Sequence, residues 1–241
     1  MKKKTEKKEQ RIFIAAVGQH RDLSGIIKFC KKEKTVRDDI MIILGDAGIN
    51  YYGDRRDERL KKKLSGVKVT FLLLQGDKDN PPENIKSYEP VIFNKGLALF
   101  QPEYPNILCS FMGEIYILHK MNTLVIGESM NCDTFGNTPE AEFWGYDGEI
   151  GAAAKKRVED KISRLGGKVD VILSHTLPYS VIPHQMKENI PPVKNFSTER
   201  WLDRIRSKSD FRHWFSGHWP VNKKIGKTEM LYDRIVEFPR K

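Results

Sequence analysis

Five times along this chain a run of apolar residues stops at a side chain that can bind a cation. His20 follows IAAVGQ, Asp46 follows MIILG, Asp77 follows LLLQG, His175 follows VILS and His218 follows WFSG. Continuous apolar runs of this kind suit strands buried on both faces, so the pattern demands a sheet covered by other layers. Open α/β sheets collect ligands beyond the carboxyl ends of their strands, and five such ends would converge on one patch. A lone aspartate after a strand is commonly a turn residue, and a lone histidine is commonly a satisfied core or surface group. Five in one chain, three of them directly after glycine, point to a site. Carboxylate oxygen combined with imidazole nitrogen suits borderline divalent ions such as zinc, manganese, nickel or iron.

Between the runs lie amphipathic stretches. DLSGIIKFCKKE, DERLKKKLS and GEIGAAAKKRVEDKISRLG read as helices, the last closed by Gly166 and Gly167. STERWLDRIRSKS reads as a fourth, with Ser197 or Thr198 as its N-cap. Strands are expected in RIFIAAVG, DIMIILGD, KVTFLLLQGD and KVDVILSH, with shorter ones in RHWFSGHWP and EMLYDRIVEF. Pro81 and Pro82 forbid a regular helix straight after the third run. NILCSFMGEIYILHKMNTLVIGES reads as a meander turning near Gly113 and Asn122, and VIPHQMKENIPPVKNF as an extended loop whose His184 is no ligand. Asn50, Tyr51 and Tyr52 are candidates to line a cleft, or plain packing. The aromatic residues Phe135, Phe143, Trp144 and Tyr146 of segment 131–150 are candidate contacts for a base or a protein partner, or a local hydrophobic plug.

The chain has 241 residues, 39% of them hydrophobic, enough for one good core. One domain is therefore expected over residues 12–241. Formal charge is +10, of which residues 1–11 contribute +4, six Lys or Arg less two Glu. That segment reads as a disordered basic tail, with attraction to phosphate polymers as the alternative. No run reaches the roughly 18 residues a bilayer crossing needs, and the first residues lack the apolar core of a secretory signal. No membrane association and a cytoplasmic location are expected. Three widely spaced cysteines with no CxxC pair argue for reduced thiols rather than a disulfide framework or a cysteine zinc site.

The polar residues fall in a recognisable order: GQH at 18–20, GD at 45–46, GDKD at 76–79, SH at 174–175 and GHWP at 217–220. This resembles the signature of the calcineurin-like metallophosphoesterases, which is D-x-H, GD, GNH followed by an acid, a lone H and GHxH. The likeness runs over residues 12–238. It is most similar to the small phosphoesterases of bacteria and their phages, on ILGDAGINYY, PENI and LSHTLP. It implies an α/β fold, a metallophosphoesterase-like mixed β-sheet sandwich flanked by helices.

The resemblance also implies a site for two metal ions sharing the GD aspartate. Carried over position by position, one ion keeps a full set: Asp46, Asp77, His175 and His218, with aspartate in place of asparagine. The other has Gly18 where the family has aspartate and Pro220 where it has histidine, leaving His20 and a share of Asp46. That second site is expected to be empty. Lys78 stands in place of the GNH histidine, so His20 and Lys78 are the candidate catalytic residues. Lysine shuttles protons poorly near neutral pH, but it can hold positive charge where the second ion is missing. The implied function is a one-metal phosphoesterase acting on a phosphate ester or nucleotide. The alternative is an inactive relative that binds a phosphate-bearing ligand, nucleic acid or a protein partner.

Overall fold

The computed structural model describes residues 9–17, 22–76, 79–127, 150–188 and 196–241. Its first elements are β1 (Ile12–Ala15), α1 (Ser24–Lys32), β2 (Ile40–Ile43), α2 (Arg55–Ser65) and β3 (Thr70–Leu73). Five strands follow: β4 (Glu89–Phe93), β5 (Gly96–Phe100), β6 (Ile107–Ser110), β7 (Ile115–Leu118) and β8 (Met121–Ile126). Then come α3 (Ala152–Arg164), β9 (Val171–Ser174), the short α4 (His184–Glu188) and α5 (Ser197–Lys208). The last strands are β10 (His213–Ser216), β11 (Lys223–Ile225), β12 (Thr228–Met230) and β13 (Ile235–Glu237).

The strands form two mixed sheets, ordered β13-β1-β2-β3-β6-β5-β4 and β11-β12-β10-β9-β8-β7. In the first, β1, β2, β3 and β6 run parallel; in the second, β12, β10, β9 and β8 do. Successive side chains of the interior strands β1, β2, β3, β9 and β10 enter different apolar layers, which is why no polar residue interrupts their runs. Ile12, Ile14, Ile40, Ile42 and Leu72 of the first sheet face Val125, Val171, Leu173 and Phe215 of the second. Their neighbours Phe13, Ala15, Met41, Ile43, Phe71 and Leu73 point outward, against Ile26 and Cys30 of α1 and Leu64 of α2. On the far side Leu124, Ile126, Ile172 and Trp214 meet Val158 and Ile162 of α3 and Trp201, Leu202 and Ile205 of α5. The result is a β-sandwich flanked by helices, and each such side chain contributes about 1.5–3 kcal/mol by leaving water. No helix among the described residues is long and apolar enough to cross a membrane.

Three local expectations are corrected. Helix α5 has Phe196, not Ser197 or Thr198, at its N-cap, with no side-chain cap; Ser197 is already helical. The expected meander is split, because β6 pairs with β3 and β5 in the first sheet while β7 and β8 belong to the second. The chain does turn at Gly113, and again at His119 and Lys120, just before Asn122 in β8, all three turn residues being left-handed. Residues 184–188 of the expected extended loop form α4. Gly166 and Gly167 do close α3, the amide of Gly167 reaching the carbonyl of Ile162 at 2.9 Å. The aromatic segment 131–150 lies outside the described residues except for Ile150, which is buried.

Candidate functional site

Parallel pairing sets the carboxyl ends of β1, β2 and β3 side by side, and those of β9 and β10 likewise in the second sheet. The two sets meet where Leu44 follows β2 and His175 follows β9. The ring Nδ1 of His175 lies 2.8 Å from the carbonyl oxygen of Leu44. A carbonyl only accepts, so Nδ1 carries the hydrogen and the opposite nitrogen is left for other work. That nitrogen, Nε2, stands 3.9 Å from Oδ2 of Asp46. His175 is 2% exposed, and packing together with the bond to Leu44 orients its ring. The ring of His218, after β10, lies 5.0 Å from that of His175, centroid to centroid.

Glycines before these residues permit the approach. A Cβ on Gly45 would lie 2.2 Å from Nδ1 of His175, and one on Gly76 would lie 2.3 Å from Oδ1 of Asp46. Glycine is needed there because two sheets converge on one point. Asp46 and His218 themselves hold left-handed conformations, at φ 55° and 61°. Left-handed non-glycine residues cost of order 1–3 kcal/mol and gather at functional sites.

Asp46, His175 and His218 are thus brought to one end of the sandwich. His20, Asp77 and Lys78, with Gly18 and Arg21, lie outside the described residues. Pro220 is exposed and offers no donor atom. Among the described residues no group of three or more His, Cys, Asp or Glu side chains could hold a metal ion. Of the candidate donors, His175 and Asp46 approach each other to 3.9 Å, and the bond to Leu44 fixes the tautomer of the imidazole.

One participant that the sequence pattern does not single out is Asp79, the second acid of GDKD. It is 5% exposed, and its carboxylate accepts from the amides of Gly48 at 2.9 Å and Gly76 at 3.4 Å. It joins the loops after β2 and β3. Burial, then the charge of Asp46, pushes it up to about 7, against the pull of the two amides. The second acid of GDKD and the glycine two residues after Asp46 were the available signal. His119 ties the carbonyls of Gln10 and Pro239 together and has no part in the site.

Two mixed sheets back to back, helices outside and ligand-capable side chains at the shared carboxyl end make this a helix-flanked α/β sandwich. The crystal structure of TT1561 of Thermus thermophilus is similar over 92% of this chain and 88% of that one, with a TM-score of 0.50. Identity is 12%, so this likeness shows the fold alone. No family model matches the chain, and no curated protein matches it in sequence.

Proposed function

We propose that this chain is a one-metal relative of the calcineurin-like phosphoesterases, acting on a phosphate ester or nucleotide. The supporting observation is the placement of His175, with Nδ1 committed to Leu44 and Nε2 turned toward Asp46. Asp46, Asp77, His175 and His218 would hold a single divalent ion (Mn, Zn, Fe or Ni), which supplies Lewis-acid polarisation of a phosphoryl oxygen when bound. Asp46 and Asp77 bring two negative charges to it, and His175 brings a neutral nitrogen fixed in direction. Lys78 and His20 are assigned the positive charge and the proton traffic around the phosphoryl group. Residues 12–241 act as one domain in this reading, in the cytoplasm.

A second reading keeps the cleft for binding alone. Pro220 favours it, since the position that should complete a second ion carries no donor. Hydrolysis of mono- and bis-p-nitrophenyl phosphate with added manganese, zinc or nickel separates the two. Metal-dependent turnover that disappears in Asp46→Ala supports the enzyme. No turnover above that variant, with a bound metal found by elemental analysis, supports the binding protein.

A further inference from the structure

We propose that the end of the sandwich carrying Asp46 and His175 binds single-stranded nucleic acid, with bases stacking beside Tyr52 and Tyr179 and phosphates neutralised by nearby cations. The inference rests on the phosphoester reading for the site between them and names its substrate class.

Each tyrosine sits in a site loop, pinned by a helix carboxylate. On the first sheet's side, Asp57 of α2 is 4% exposed and accepts from the amides of Tyr52, at 3.0 and 3.1 Å, and Gly53, at 2.7 Å. It thereby holds out Tyr52, which is 46% exposed, edge to face with Tyr51 and with the Arg56 guanidinium 3.5 Å from its ring centroid. On the second sheet's side, Asp203 of α5 accepts from the Ser180 hydroxyl at 2.6 Å and the Ser180 amide at 3.2 Å. The adjoining Tyr179 has Lys187 at 4.1 Å and Arg200 at 4.7 Å from its ring centroid. Neither cation forms an ion pair among the described residues. Two like charges drawn to one ring repel each other, and a phosphate relieves that repulsion.

The first platform continues into a basic face. Helices α1 and α2 pack in one layer on the first sheet, through Ile26 and Cys30 and through Leu64. Arg55, Arg59, Lys62 and Lys63 of α2 are exposed on it, none within ion-pair distance of an acid among the described residues. Aromatic rings beside cations are what a base-and-phosphate polymer needs, Arg56 being shared with Asp54 while Lys187 and Arg200 have no ion pair among the described residues, and the two platforms on loops of different sheets favour a strand over a mononucleotide. A lipid surface fits less well. Of the exposed large hydrophobics Val36, Tyr52, Ile92 and Ile225, Tyr52 alone lies in a site loop.

The test is fluorescence anisotropy of a labelled oligothymidylate of about 16 nucleotides, with the full-length protein in chelator so that turnover plays no part. Tyr52→Ala and Tyr179→Ala are each expected to weaken binding about tenfold, and Tyr52→Phe to restore it. The pair Lys187→Glu and Arg200→Glu should weaken binding and flatten its salt dependence by one to two contacts. Unchanged affinity in these variants, with native melting curves, overturns the proposal. So does equal capture of polyglutamate or phosphatidylserine vesicles, or binding that depends only on Lys2, Lys3 and Lys4. Strand binding without phosphodiester hydrolysis on metal addition leaves this inference standing and removes the phosphoester reading; hydrolysis without strand binding does the reverse.

Discussion

Asp39 shows how a single carboxylate can brace an edge. It is 2% exposed and accepts from the Arg11 guanidinium at 2.6 Å, the Arg11 amide at 3.0 Å and the Val36 amide at 2.9 Å. Burial pushes this group up, but those hydrogen bonds outweigh it and hold Asp39 below the usual carboxylate range. A lowered folded-state value means stability that is present above the unfolded value and lost as pH falls through the folded one. Asp39→Asn should therefore cost about 2 kcal/mol at neutral pH by urea unfolding, with the gap to the parent closing as the pH falls through the lowered folded-state value. At the site, Gly76→Ala forces a methyl group against Asp46 and should cost about 1–3 kcal/mol. It should also abolish metal uptake, read by elemental analysis of the purified variant. Gly76 was visible in the sequence as one of three glycines before a polar residue. Its packing on Asp46 was not, because nothing local records which strands become neighbours.

Among the elements, the strands of the interior were legible and the β4–β5 hairpin was not. The interior strands are buried on both sides, so their composition alone marks them. Strand β4 is mostly exposed, with Ile92 at 72%, and carries Glu89 and Pro90 on the sheet edge, so no apolar run announces it. Its turn uses Asn94 and Lys95, both left-handed at φ 46° and 69°, where Asn-Gly is the favoured pair. The nearby Gly96 is instead the first residue of β5, where a Cβ would lie 2.7 Å from the Tyr116 ring. Lys95→Gly should stabilise the fold by about 1 kcal/mol, seen as a higher denaturant midpoint with an unchanged slope. The cap of α5 was misread for a related reason. Ser197 is a good capping residue by type, yet the chain enters the helix through Phe196, whose ring packs 5.1 Å from Tyr179.

At the scale of the molecule, Asp46 and His175 are 129 residues apart in the chain and meet only because two sheets close face to face. A ligand that bridges them should stabilise the sandwich as a unit. Manganese at about a hundred times its Kd should add about 2.7 kcal/mol to unfolding, and nothing in Asp46→Ala, by thermal melts across a manganese titration. The sequence alone determined the alternation of buried strands and amphipathic helices and the donor types at the strand ends. Those follow from side-chain polarity at the periods of strand and helix, which are local quantities. Tertiary structure alone decided which strands share a sheet, that Leu44 orients His175, and that Asp79 joins the loops after β2 and β3. Each of these depends on contacts between segments far apart in the chain, where closure and packing set the geometry and local residue preference does not reach.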